Sequence, residues 1–191
     1  VLGENRVRIG DRIENLAADP SPLMFVYHCN PGFPLLDQGT RLVLHSRKST
    51  EWQNDNEVSP ADYAVAKGPQ QAAHDDVYVH RPLTDRQGHV HVGLLNDKLG
   101  LGLYWKFKCN EIPIVNHWQH FHKGTYVTGI EPGNCSVLGR AWNRKHKTLQ
   151  HIEPGEVREF NMEIGVLDGT RELRAFEREV KRGIVGGKNS P

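Results

Sequence analysis

Cysteine is scarce in this sequence. The 191 residues include three cysteines, Cys29, Cys109 and Cys135, and none has the paired spacing of a zinc ribbon or a CxxC motif. An odd number of cysteines suits a reducing compartment better than a framework of disulfide bonds. We therefore expect a cytoplasmic protein.

Net charge and long apolar runs are also missing. The chain carries 24 Lys and Arg against 23 Asp and Glu, a formal net charge of +1. Binding of nucleic acid through a basic face is not indicated, because counterion release needs clustered Lys and Arg. The longest apolar run, residues 22–27, is far shorter than the roughly 20 residues of a membrane-spanning helix. We expect neither a nucleic-acid partner nor a membrane span.

Several common catalytic motifs are absent as well. The chain has no GxSxG, P-loop or HExxH sequence, which removes the commonest hydrolase, phosphate-loop and metalloprotease interpretations. Gly100 and Gly102 lack the third glycine and the following helical pattern of a dinucleotide-binding fingerprint, so this pair predicts a turn.

What the sequence contains is a series of short strands. Its 19 glycines and 11 prolines divide the chain into short pieces, and many pieces alternate apolar and polar residues as half-buried strands do. We predict strands at residues 7–9, 41–45, 77–80, 89–94, 102–107, 125–130 and 159–167. Many short strands separated by turns predict an all-β, mostly antiparallel sandwich or barrel.

A helical pattern is confined to the end of the chain. Leu173, Phe176 and Val180 recur at spacings of three and four residues, which predicts a short amphipathic C-terminal helix over residues 170–182. We predict a flexible tail at residues 186–191.

The remaining chain shows no repeat and no linker. Residues 49–71 are polar and contain Pro60 and Pro69, so we predict a long surface excursion with about one helical turn after Pro60. Residues 1–191 are predicted to form a single β-sandwich domain. The sequence opens at Val1 without an initiator Met or a targeting pattern, and we expect a chain whose beginning is missing.

Histidine is abundant, with 11 residues, and part of it is clustered. His89 and His91 would point to one side of a strand, and His117, His120 and His122 lie within six residues. Such patterns are compatible with metal ligands, but a lone HxH is weak evidence, and we assign no metal. Residues 117–122 fit either an aromatic cleft that stacks on a sugar or a strand packed in the core.

Two titratable residues stand at the ends of apolar strands. Glu131 precedes Pro-Gly-Asn, and His28 follows Met-Phe-Val-Tyr. Partial burial at such a position can tune a pKa for acid or base catalysis. A strand-end carboxylate that accepts backbone hydrogen bonds and a satisfied core histidine are the alternative interpretations.

These two residues lie in motifs that resemble the aldose 1-epimerase-like branch of the galactose mutarotase superfamily. The resemblance spans roughly residues 28–167, and four segments carry it: residues 27–36 (Tyr-His-Cys-Asn-Pro-Gly-Phe-Pro-Leu-Leu), 75–78 (Asp-Asp-Val-Tyr), 129–134 (Gly-Ile-Glu-Pro-Gly-Asn), and Leu149 with 154–156 (Pro-Gly-Glu). It implies a galactose mutarotase-like β-supersandwich, of which this chain is the C-terminal portion.

The resemblance also implies roles for individual residues. By motif match, His28 is the general acid and Glu131 the general base of a ring-opening reaction. An aspartate of the family binds a sugar hydroxyl, and Asp75 matches its spacing better than the competing Asp76. Asn30 lies in the His28 motif, which here reads Tyr-His-Cys-Asn instead of Asn-His-Ser/Thr-Tyr, and we predict that it contacts the sugar.

Further sugar contacts are predicted on the His-rich segment before Glu131. Its aromatic content and its position in the chain favour Trp118, His120 and His122. The resemblance implies that the family's additional arginine and second histidine come from an N-terminal half, which we expect to precede the residues of this chain.

The function implied is that of an isomerase that interconverts sugar anomers by ring opening and closure. Its partner would be a small-molecule carbohydrate, and no cofactor is implied, since one acid and one base suffice for a hemiacetal. A non-catalytic sugar-binding protein on the same fold and a metal-dependent isomerase that uses the His-rich strands are the alternatives. Exposed sheet edges would be covered by a second copy or by an N-terminal fragment.

Overall fold

The segments with alternating apolar residues form strands, and the last amphipathic segment forms a helix. A computed structural model describes residues 3–183, and within these residues the elements follow in the order β1 (Arg6–Glu14), β2 (Ser21–Leu23), β3 (Arg41–Leu44), β4 (Ser46–Glu51), α1 (Pro60–Tyr63), β5 (Asp76–Pro82), β6 (His89–Asn96), β7 (Leu101–Lys108), β8 (Ile114–His122), β9 (Thr125–Gly133), α2 (Gly139–Lys145), β10 (Gln150–Ile152), β11 (Val157–Asp168) and α3 (Thr170–Gly183). The predicted tail at residues 186–191 lies outside the described residues.

The strands form two main antiparallel sheets. Sheet I has the order β1-β11-β7-β6-β3 and sheet II the order β4-β5-β8-β9, while β10 and β2 form a small third sheet. The two main sheets enclose a core in which Val92, Trp105 and Phe107 of sheet I meet Val115 and Ile130 of sheet II. The predicted all-β sandwich and each of the seven predicted strands are confirmed.

The predicted C-terminal helix is also confirmed, and it packs on the outer face of sheet I. Leu173, Phe176 and Val180 of α3 bury their side chains against Leu95 and Leu167. Glycines in the sheet make room for the helix, since a Cβ at Gly93 would lie 2.4 Å from the Phe176 ring.

The predicted surface excursion at residues 49–71 is wrong in part. The helical turn is present as α1, but the excursion begins inside the edge strand β4, and Tyr63 and Ala66 are buried. Ser49 explains the difference, because its hydroxyl bonds the Tyr63 hydroxyl at 3.1 Å and His80 Nδ1 at 2.8 Å. A polar sequence can therefore form a strand here, since its inward hydroxyl finds partners in the core.

Three elements had no counterpart in the sequence analysis. β2 and β10 have three residues each and pair with one another although most of the chain separates them in the sequence. Segments this short show no periodicity of apolar residues that would predict a strand. α2 has seven residues and no side-chain cap. No helix among residues 3–183 has the length and apolar character needed to cross a membrane.

Candidate active site

The outer face of sheet II brings His28 and Glu131 together. His28 Nε2 lies 2.9 Å from Glu131 Oε1. The Glu131 side chain is 4% exposed, whereas that of His28 is 52% exposed. The carboxylate is therefore almost fully buried, and the imidazole beside it is half exposed.

Backbone pairing fixes this contact. The segment before β3 runs antiparallel along the free edge of β9, with bridges from Val26 to Gly133, from Cys29 to Ile130 and from Gly32 to Val127. Side chains alternate along an extended segment. Cys29 therefore packs against the core, while His28 points to the outer face, where Glu131 lies.

Asn134, directly after β9, forms side-chain hydrogen bonds with the segment that carries His28. Its side-chain oxygen accepts a hydrogen bond from the Phe25 N–H at 2.7 Å, and its amide donates to the Leu23 carbonyl at 3.0 Å. Asn134 belongs to the sequence motif around Glu131. In the structure, its two hydrogen bonds hold the segment that carries His28 in register with β9.

Burial raises the pKa of Glu131 above its ordinary value, and the neighbouring His28 partly offsets this by lowering it. Burial disfavours the charged form of a carboxyl, while a nearby cation favours it. A carboxylate with a raised pKa is a stronger base than an exposed one, and it reaches a proton donor within hydrogen-bonding distance.

An aromatic row extends from this pair along β8. The rings of His28 and Trp118 have centroids 6.3 Å apart, those of Trp118 and His120 5.2 Å, and those of His120 and His122 4.4 Å. Alternate residues of a strand share a face, and the register puts Trp118 opposite Gly129 on β9. The row therefore lies on the same face as Glu131, and all three of its residues are partly exposed.

Polar groups hold His120 at both ring nitrogens. Asp75 Oδ1 lies 2.5 Å from Nδ1, and Thr125 Oγ1 lies 3.0 Å from Nε2. The structure therefore brings five predicted site residues to one face: His28, Glu131, Trp118, His120 and His122, with Asp75 beside them.

The two competing aspartates, Asp75 and Asp76, direct their side chains to opposite faces of sheet II. Asp76 pairs with Gln119 on β8, and it shares one face of β5 with Tyr78 and His80, which face the interior of the sandwich. Asp75 alone contacts the aromatic row. Asn30 is exposed, two residues beyond His28, and makes no side-chain hydrogen bond to residues 3–183, so its sugar contact stays a prediction.

The histidine clusters separate in the same way. His117 is buried against Tyr63 and His80 on the inner face of sheet II, so residues 117–122 are both a core strand and part of a cleft, on alternate side chains. His89 and His91 lie on sheet I and share Asp85, at 3.5 Å and 2.9 Å.

Gly129 is a site residue that the sequence analysis missed. A Cβ there would lie 2.5 Å from Glu131 Oε1 and 3.3 Å from the Trp118 Cβ. The absent side chain therefore leaves the space that the carboxylate occupies. The sequence contained this glycine next to the Glu131 motif, but only the cross-strand register shows what it accommodates.

The arrangement suits proton transfer on a polyhydroxylated ligand. A buried carboxylate and a more exposed imidazole can serve two neighbouring oxygen atoms, and flat aromatic faces stack well on the apolar face of a ring.

Solved structures with the same fold support the comparison of architecture. A candidate aldose 1-epimerase from Klebsiella pneumoniae has a TM-score of 0.89 and 23% identity, covering 98% of this chain and 50% of its own. A galactose mutarotase-related enzyme from Lactobacillus acidophilus has a TM-score of 0.65 and 14% identity, covering 87% and 59%. A galactose mutarotase-like protein from Clostridium acetobutylicum has a TM-score of 0.61 and 14% identity, covering 84% and 52%.

The chain thus spans about half the length of the structures that it matches. No curated protein matches the sequence. A family model described as "Domain of unknown function (DUF4432)" matches residues 1–166. The chain therefore belongs to the DUF4432 family, and it has the galactose mutarotase-like β-sandwich fold.

Proposed function

We propose that this chain carries the acid–base pair of a carbohydrate isomerase of the aldose 1-epimerase type. The observation that carries the proposal is the 2.9 Å contact between His28 Nε2 and the buried Glu131 carboxylate, on a face lined by an aromatic row. The fold of the candidate epimerase from Klebsiella pneumoniae agrees with it.

The proposed reaction opens and closes a hemiacetal. The Glu131 carboxylate takes the proton of the anomeric hydroxyl, and protonated His28 gives one to the ring oxygen, which breaks the bond between that oxygen and C1. Rotation about C1–C2 and reclosure, with the proton transfers reversed, yield the other anomer. Because the two oxygens share one carbon, an acid and a base in contact can serve both.

The proton balance needs no external donor. After ring opening Glu131 holds the proton of the anomeric hydroxyl and His28 is neutral; on reclosure His28 takes the proton back from the former ring oxygen and Glu131 returns its proton to the C1 oxygen, so both groups are restored.

Sugar binding is assigned to the row and its neighbours. Trp118 offers a ring face beside the His28–Glu131 pair, and Asp75 offers a carboxylate oxygen at the far side of His120. His120, His122 and Asn30 complete the predicted contacts.

The experiment is proton NMR of anomeric exchange in a panel of aldoses, with the intact chain and its Glu131→Gln variant. We expect faster exchange with the intact chain and its loss in the variant, with sugar affinity retained, because removing the base affects the transition state more than ground-state binding. Glu159→Gln, at an exposed glutamate of β11, is the matched control and should exchange normally. No acceleration for any aldose would contradict the proposal, and affinity without exchange in either protein would indicate a sugar-binding protein.

A further inference from the structure

The aromatic row ends in a cluster whose donor atoms suit a metal ion. Asp75, His120 and His122 each offer one ligand atom, and these atoms all lie within 4.8 Å of one another. We propose that this cluster binds a divalent transition-metal ion of the Zn²⁺ class, on the same face of sheet II as Glu131.

The donor set is one that such ions prefer. Two imidazoles and one carboxylate occur in catalytic zinc sites and in non-haem iron sites, and they leave at least one coordination position open. His120 and His122 are two residues apart on β8 and share a face, while Asp75 directly precedes the neighbouring strand β5. The pairing of β5 with β8 therefore brings Asp75 next to His120 and His122.

The distances require only side-chain adjustment. In a tetrahedral site with bonds of about 2.1 Å, ligand atoms lie roughly 3.4 Å apart. Asp75 Oδ1 and His120 Nδ1 are 2.5 Å apart and would separate by about 1 Å to admit an ion between them. Asp75 is exposed, so its side chain is free to rotate by this amount.

Thr125 supplies the outer partner that metal-bound histidines have. With Nδ1 of His120 directed at Asp75, the other ring nitrogen, Nε2, lies 3.0 Å from Thr125 Oγ1. A ligating histidine commonly donates its second N–H to such a group, which fixes the tautomer and the ring orientation. The Thr125 hydroxyl is placed to accept that hydrogen bond.

His122 is the residue that a simple ion pair between Asp75 and His120 does not account for. An ion pair accounts for Asp75 and His120, but the His122 ring makes no side-chain hydrogen bond within residues 3–183 and stacks on His120 at 4.4 Å and 25°. His122 therefore has a ring nitrogen available within 4.8 Å of the ligand atoms of Asp75 and His120, where it can complete the donor set.

The cluster of Asp75, His120 and His122 lies beside the region of the proposed sugar site. Trp118 lies between the His28–Glu131 pair and His120, so a ring stacked on Trp118 can reach both the acid–base pair and the ion. We assign the open position to a sugar hydroxyl oxygen, and this assignment rests on the proposed function.

The metal site is tested with metal-free 191-residue chain, titrated with Zn²⁺ by calorimetry in the absence of sugar. We expect one site, and Co²⁺ in its place should give the visible absorption of a four-coordinate ion. His122→Gln should weaken binding by more than the roughly 10- to 100-fold that loss of an outer partner costs, and Thr125→Val should fall within that range. His151→Gln, at an exposed histidine of β10, is the control and should bind as the unchanged chain does.

Absence of a Zn²⁺ site, or equal affinity in the unchanged chain and in His122→Gln, would overturn the proposal. If His122→Gln fails to fold, Asp75→Asn at the exposed aspartate provides the same comparison. These titrations contain no sugar, so their result is separate from that of the anomeric exchange assay. A sugar affinity that is the same with and without bound Zn²⁺ would refute the hydroxyl assignment alone.

Discussion

Glu131 is a carboxylate that the protein buries next to one imidazole. Burial raises its pKa and His28 partly offsets this by lowering it, because a cationic neighbour favours the carboxylate form. Its counterpart, His28, is held by backbone pairing and not by side-chain packing, which leaves it half exposed and open to a ligand.

The first prediction concerns this electrostatic coupling. His28→Gln removes the group that lowers the Glu131 pKa, and we expect that pKa to rise above its value in the unchanged chain. The measurement is a pH titration of the Glu131 carboxyl carbon by NMR. His146→Gln, at an exposed histidine next to α2, should leave the titration unchanged, and an equal or lower pKa in His28→Gln would show that burial acts alone.

The second prediction concerns Gly129. An alanine there places a methyl group 2.5 Å from the present position of Glu131 Oε1, and the flexible carboxylate end will move. We expect Gly129→Ala to reduce anomeric exchange by at least about tenfold, because a misplaced base loses its alignment, with little change in melting temperature.

Gly32→Ala is the matched control for Gly129→Ala. Its Cβ would meet only the Tyr126 carbonyl, at an ordinary 3.6 Å, although Gly32 belongs to the segment that carries His28. Exchange should persist in this variant. Full activity in Gly129→Ala would show that the carboxylate does not act from the position seen here.

At the scale of elements, α3 is held by its apolar face. Leu173 and Phe176 are 1% and 6% exposed against sheet I, whereas the Lys181–Glu177 pair is a surface ion pair worth only tenths of a kcal/mol. Packing on the sheet therefore accounts for most of the stability of this helix.

The third prediction follows from this packing. Leu173→Ala removes a fully buried side chain between α3 and sheet I, and we expect the free energy of unfolding to fall by about 2–5 kcal/mol. Urea denaturation followed by circular dichroism measures it. Arg174→Ala, one residue away on the exposed face, should change it by less than about 0.5 kcal/mol.

At the scale of the whole molecule, the sandwich interior encloses two neutral histidines. His80 and His117 are fully buried between the sheets, with ring centroids 5.8 Å apart. Burial lowers the pKa of His117 from 6.5 to about 3 and lowers that of His80 well below 6.5. Neither ring can accept a proton in the native state near neutral pH without charging the core.

The fourth prediction is acid destabilisation of the entire domain. Below pH 6.5 the unfolded chain binds protons at these histidines and the native state does not, so the free energy of unfolding falls as pH falls from 6.5 towards 3. Within that window His117 contributes a slope of about 1.4 kcal/mol per pH unit, and His80 acts in the same direction. Urea denaturation at several pH values measures the slope.

His117→Gln provides the comparison for this slope. The variant removes one of the two titrating groups and should reduce the pH dependence, whatever its stability at neutral pH. His151→Gln, on the surface, should preserve the full slope. An unchanged slope in His117→Gln would mean that other groups cause the acid sensitivity.

The predicted cover for exposed sheet edges also belongs to this scale. β1 and β4 are edge strands, and Val7 on β1 is 63% exposed. That a second copy or an N-terminal fragment covers such edges stays a prediction, and light scattering of the isolated chain distinguishes a monomer from an assembly.

The sequence by itself determined much of the local structure and pointed to the central residues of the candidate site. Alternating residues predicted the five strands of sheet I and the strands β5 and β9 of sheet II, and the spacing of Leu173, Phe176 and Val180 predicted α3, because these periods follow from backbone geometry alone. The motifs around His28 and Glu131 carried the family resemblance, so the two central site residues were also accessible from the sequence.

Only the tertiary structure decided which of these side chains meet. Strand register placed Asp75 beside the aromatic row and Asp76 on the opposite face of sheet II, divided His117 from His120 and His122, and placed Gly129 next to the Glu131 carboxylate. The physical reason is that a shift of one residue in register reverses the face of every side chain. Register is set by contacts between strands that are distant in the sequence, and a local pattern contains no information about them.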